Sequence, residues 1–102
     1  MDFDSLLKLM VHKNGSDLFI TAGIPPSMKI NGKIMPVAKG SLTPDQARQI
    51  VFGIMNEDQR EEYESSHECN FALSRSGIGR FRVNVFQQRN QLLDVLVGDG
   101  IL

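Results

Sequence analysis

Apolar residues along this chain change their period several times, and each change marks a boundary between elements. In residues 2–13, Phe3, Leu6, Leu7, Met10 and Val11 follow the i, i+3, i+4, i+7, i+8 stripe of an amphipathic helix. Leu9 widens that stripe, so the helix packs on something broader than one neighbouring helix. Asp2 and Asp4 suit its positive N-terminal end, and Asn14-Gly15 supplies a stop. Ser16-Asp17-Leu18-Phe19-Ile20-Thr21 predicts a short apolar strand. It gives way to Ala22-Gly23-Ile24-Pro25-Pro26, whose adjacent prolines offer no ladder donors. Asn31-Gly32 then joins two short apolar segments, 28–30 and 34–37. A type I′ turn needs positive φ twice, which Asn-Gly accepts, and a two-residue turn pairs Met28 with Met35, Lys29 with Ile34 and Ile30 with Lys33. Neither face of that hairpin is cleanly apolar, so the pattern specifies the hairpin better than its register.

Two helix starts follow. Leu42-Thr43-Pro44-Asp45-Gln46-Ala47 offers an N-cap Thr, a Pro at the first helical position and a Gln three residues after the cap; Leu42 and Ala47 suit a hydrophobic staple. Ala47, Ile50, Val51 and Ile54 line one face. Asn56-Glu57-Asp58-Gln59 repeats the cap signature and opens a more polar helix to about residue 65, with Tyr63 as its apolar anchor. Beyond it the period drops to two: Cys69, Phe71 and Leu73 alternate with polar residues, turn at Arg75-Ser76-Gly77, and lead into a strand over 80–88. Arg89-Asn90-Gln91 predicts another turn, and residues 92–97 can return as a last strand. Helix, three strands, two helices and three strands make an α+β domain, an antiparallel or mixed sheet with helices on one face.

Composition narrows the choices. The chain has 102 residues, 41% apolar and 23% charged, which suits a single globular domain with a small core: six Phe, one Tyr and no Trp. A net charge of -1 gives no global field for nucleic acid or an anionic membrane, so any anion site is local. Cys69 has no cysteine to pair with, which fits a reducing compartment. The start Met-Asp-Phe-Asp lacks the basic opening of a secretory signal, and no apolar run reaches the ~18 residues of a membrane span. The expected location is the cytoplasm, with no nucleic-acid partner.

Candidate chemistry centres on Gly77-Ile78-Gly79-Arg80-Phe81-Arg82-Val83-Asn84-Val85-Phe86-Gln87-Gln88-Arg89. On an extended chain Phe81, Val83 and Val85 share one face, and Arg80, Arg82 and Asn84 the other. Two arginines at i and i+2 present paired guanidinium forks suited to carboxylate or phosphate. The same spacing also describes a solvated strand face carrying two solubilising charges, and spacing alone leaves both open. Elsewhere the residues speak against catalysis. There is no G-x-x-x-x-G-K-[ST] loop, and Gly77-Ile78-Gly79 opens a strand rather than a helix, unlike a dinucleotide fingerprint. His12 and His67 have no metal-ligand spacing, the carboxylates from Glu57 to Glu64 read as a solvated helix face, and Glu68 beside Cys69 raises a thiol pKa instead of activating it. No metal site and no catalytic residue is expected.

Several stretches in order resemble the N-terminal domain of the type IV pilus retraction ATPases, the PilT/PilU group of the secretion-ATPase superfamily, and the PilU branch in particular. They are Leu6-Leu7 in the first helix, Gly15-Ser16-Asp17-Leu18-Phe19-Ile20, Ala22-Gly23-Ile24-Pro25-Pro26, Asn31-Gly32, Ile54-Met55-Asn56 with Gln59-Arg60, Glu68-Cys69-Asn70-Phe71 and Gly79-Arg80-Phe81-Arg82-Val83-Asn84. The resemblance covers about residues 1–91 and implies a PAS-like α+β fold. It implies a module of twitching motility: a RecA-like ATPase domain following in the same chain, hexameric rings, proteins of the pilus base as partners, and a cytoplasmic place at that base. In that family nucleotide binds between the two domains and arginines of the R-F-R segment lie near it, which implies Arg80 and Arg82 as candidate nucleotide-interface residues or, alternatively, as partners for carboxylates of the following domain. Residues 92–102 do not resemble the family's next strand; a last strand, a truncation, a frameshift or a non-native tail are the readings. Without Walker motifs the segment alone is not expected to be an enzyme, and ATP and Mg2+ are expected only with the missing ATPase domain. The alternative is a stand-alone PAS-like sensor or adaptor that binds a small ligand.

Overall fold

A computed structural model describes residues 2–88 and 92–99, with side chains for residues 2–87. The elements are α1 (Phe3–His12), β1 (Asp17–Thr21), β2 (Ser27–Ile30), β3 (Lys33–Pro36), α2 (Pro44–Phe52), α3 (Glu57–Ser66), β4 (Glu68–Arg75), β5 (Gly79–Gln88) and β6 (Leu92–Asp99). All six strands form one antiparallel sheet in the order β3-β2-β1-β6-β5-β4. The turn expected at residues 89–91 lies outside the described residues.

Local signals build the ends of these elements. Asp2 caps α1 by accepting the Ser5 N–H at 2.7 Å, a bond that holds its carboxyl below the usual pKa. Asn14 takes φ 56° and the Gly15 N–H returns to the Met10 carbonyl at 2.8 Å, which closes the helix where the sequence indicates. Both predicted capping boxes form: Thr43 with Gln46 on α2, and Asn56 with Gln59 on α3, each satisfying two backbone donors at 2.8–3.1 Å. Asn31 and Gly32 adopt φ 51° and 78°, and β2 meets β3 in the register that a two-residue turn requires, Met28 against Met35.

The core lies between the helices and one sheet face. Phe3, Leu6, Leu7 and Met10 of α1 pack with Leu18, Ile20 and Met28 of the N-terminal strands and Cys69, Leu73, Phe81, Val83 and Val85 of β4 and β5. Ala47 and Val51 of α2 and Tyr63 of α3 join the same cluster. The buried polar Ser27 is satisfied by donating to the Pro25 carbonyl at 2.9 Å. The sheet's other face has no helix of these three on it.

Three details differ from the pattern-based expectation. β4 runs one residue further, so the β4–β5 loop is residues 76–78, closed by the Ile78 N–H on the Arg75 carbonyl at 3.0 Å. β6 extends to Asp99 and lies between β1 and β5, where it joins the two halves of the sheet. α3 ends on His67 in the left-handed region at φ 64°; its N–H bonds the Tyr63 carbonyl at 2.7 Å and its own carbonyl accepts the Gln87 N–H. His67 thus serves through its backbone, as a cap that glycine usually supplies.

Candidate functional site

The site is built on β5 by alternation. Phe81, Val83 and Val85 point into the core, which forces Arg80, Arg82 and Asn84 onto the helix-free face. Arg80 sits opposite Ser74 on β4, Arg82 opposite Ala72, and Asn84 opposite Asn70. On the other side Arg82 is in register with Gly98 of β6, and Gly98 with Asp17 of β1. Arg80, Arg82, Asn70, Ala72 and Ser74 are all exposed.

What separates Arg80 and Arg82 from the other described arginines is their lack of partners among the described residues. Arg48 lies 4.2 Å over the Phe52 ring and pairs with Glu64. Arg60 donates from Nε and Nη2 to the Phe52 carbonyl at 3.0 and 2.7 Å. Arg75 donates from Nε to Asp4 Oδ1 at 3.0 Å, tying the β4–β5 hairpin to the start of α1. The side chains of Arg80 and Arg82 make no hydrogen bond or ion pair among the described residues. Together the two exposed side chains carry roughly ten guanidinium N–H donors on one strand, about five per Arg.

None of the main recesses among the described residues is lined by Arg80 or Arg82. A recess of about 580 Å³ at the far end of β4 and β5 is lined by Asn70, Asn84, Phe86 and Gln87 among others, and by neither arginine. An anion held by Arg80 and Arg82 would need a second surface to close over it. The polar neighbours Asn70 and Ser74 add donors and acceptors beside the arginines, a contribution that the alternation of β4 already implies. Cys69 lies on the opposite, core face. Burial pushes its thiol pKa up, and Glu62 pushes it further, so the carboxylate acting on it comes from α3 rather than from the adjacent Glu68. No group of three or more metal-ligating side chains occurs among the described residues, and none of the described helices is long and apolar enough to cross a membrane.

Comparison with known proteins gives the same architecture a family. No family model matches the chain. It is 63% identical over 90 residues to the type IV pilus ATPase PilU of Pseudomonas aeruginosa, covering 88% of the chain and 24% of PilU. It is 34% identical over 88 residues to the type IV pilus retraction ATPase PilT of the same organism, covering 86% of the chain and 26% of PilT. Among solved structures, the pilus retraction motor PilT with bound ADP superposes with a TM-score of 0.87 at 29% identity, over 97% of the chain and 29% of that protein. The Legionella pneumophila ATPase DotB shares the fold, with a TM-score of 0.76 at 17% identity over 93% of the chain and 27% of DotB. In both fold and sequence the chain is similar to the N-terminal part of pilus motor ATPases. More particularly, the chain corresponds to an N-terminal segment of the PilT/PilU group. It spans about a quarter of the length of the curated relatives it matches.

Proposed function

We propose that this segment is the non-catalytic N-terminal module of a type IV pilus retraction ATPase, and that Arg80 and Arg82 serve the nucleotide interface between it and a RecA-like domain. The observation that carries the reading is the contrast among the described arginines: three are bound into the fold, while these two are exposed, side by side and without a hydrogen-bond or ion-pair partner among the described residues. Desolvated by an opposing domain, a guanidinium pair stabilises phosphate charge far more than it does in water. ATP and Mg2+ would be held chiefly by the P-loop domain; this chain's own part is to present two forks at the phosphates and orient them across the joint. Assembly into a hexameric ring at the cytoplasmic side of the pilus base, and relative motion of the two domains during turnover, complete the reading.

The test joins residues 1–90 to the remaining three-quarters of P. aeruginosa PilU, where the 63% identity makes the graft conservative. Arg80→Ala with Arg82→Ala is expected to lower ATPase turnover at least ~10-fold, the scale of losing one preorganised charge-stabilising donor or more. Unchanged turnover in a folded, assembled chimera would exclude the nucleotide role.

A further inference from the structure

The helix layer does not reach the β3 edge of the sheet. Met35 sits in register with the fully buried Met28, yet is 41% exposed because nothing packs over it. The result is a cleft of about 410 Å³ between α1 and the β2–β3 hairpin, with Leu9, Ile30, Met35 and Val37 as its apolar floor and Lys13 and Lys39 at its rim. No carboxylate lines it among the described residues. A second recess of about 420 Å³ continues from it past the 38–42 segment to α2, sharing Ala38 and Lys39 and touching α1 only at Leu6.

Charge is distributed unevenly around this cleft. Residues 5–41 carry five lysines and a single carboxylate, Asp17, which stands opposite Lys29 in the ladder. The sheet's other edge carries α3, with Glu57, Asp58, Glu61, Glu62 and Glu64. We infer that the α1–β3 cleft is a docking surface for an acidic, amphipathic helical segment of a partner polypeptide. Large apolar side chains one turn apart would enter the two recesses, and flanking carboxylates would meet Lys13 and Lys39. A second copy of this chain fits less well. Its α3 matches the lysines in charge, but α3's one apolar residue, Tyr63, is buried and leaves nothing for the floor. A bilayer fits less well still, because the apolar surface is concave. This cleft opens on the helix side of the sheet, away from Arg80 and Arg82, so its occupancy stands or falls independently of the nucleotide interface.

The probe is a fluorescein-labelled amphipathic peptide of leucine and glutamate, titrated against the 102-residue chain by fluorescence anisotropy. Saturable binding is expected. Lys13→Glu with Lys39→Glu is expected to raise Kd at least ~10-fold, and Lys13→Arg with Lys39→Arg to leave it within about twofold, since rim charge and not shape is being read. Met35→Asp is expected to weaken binding by ~10-fold through loss of the apolar floor, whereas Lys8→Glu, on α1 but outside the cleft, has no effect. All these positions are exposed, and circular dichroism melts of each variant are the check that it folds. The inference is overturned by an absence of saturable binding, or by Lys8→Glu weakening it as much as the rim reversal. Anionic phosphatidylserine vesicles, or self-association of the chain, responding to the rim reversal when the peptide does not would overturn it equally.

Discussion

The α2–α3 corner and the outer face of β4–β5 use the same residue type in opposite ways. At the corner, Phe52 gathers Arg48 over its ring, Arg60 onto its carbonyl and Tyr63 edge-on at 5.9 Å. There charge and ring contacts on the surface add to the buried anchors Ala47, Val51, Met55 and Tyr63 that seat the two helices on the core. On the sheet face, Arg80 and Arg82 have no carboxylate partner among the described residues, and their strand neighbours Ala72, Ser74 and Gly98 carry no carboxylate. Arginine at the corner is mortar. On the sheet face it has no partner among the described residues, and the two situations are distinguished by neighbours rather than by the residues themselves.

The comparison is sharpened most by Phe81, which lies between the two free arginines and is 1% exposed. Phe81→Ala is expected to cost ~3–5 kcal/mol, the usual loss for truncating a buried ring, measured by urea unfolding. That result would show that one strand carries a stability role on one face while its other face is idle in folding. A cost below ~1 kcal/mol would mean that β5 is not held by its core face.

Next in size is the corner. Arg60→Ala removes two donors from the Phe52 carbonyl, and the expected loss is ~1 kcal/mol: hydrogen bonds from a charged group are worth more when buried, but this side chain is exposed. Arg60→Lys recovers part of it, because an ammonium reaches one carbonyl but cannot fork onto it. Equal stability for Arg60→Ala and the parent chain would erase the distinction between bound and free arginines.

Much of this was legible in the chain. Asn31-Gly32 specified its hairpin and register, the two N-cap signatures specified the starts of α2 and α3, and alternation around Phe81 put both arginines on one face. These signals are local, so their physics is complete within a few residues. The position of β6 was not legible, since insertion between β1 and β5 depends on which edges the rest of the fold leaves open. Nor was the status of each arginine. Arg75 finds Asp4 across 71 positions of sequence, and Arg48 finds Glu64 across 16. No spacing rule separates them from Arg80 and Arg82. The left-handed cap at His67 also carried no signal, because His is an uncommon choice where glycine costs least.

The smallest expected effect tests the other half of the comparison. In the isolated chain, Arg80→Ala with Arg82→Ala should leave unfolding free energy within ~0.5 kcal/mol of the parent, as for surface changes that break no named interaction. Neither side chain has a partner among the described residues to lose, and alanine gives up only the apolar stems along the strand. Removing two like charges at i and i+2 also relieves a weak repulsion that salt screens, so any difference should shrink as ionic strength rises. A loss above ~1.5 kcal/mol would reveal partners that bind these arginines into the fold and would move them to the side of Arg60. A null result in the isolated chain, beside lost turnover in the PilU chimera, would instead assign the pair to the interface, because only there does anything depend on them.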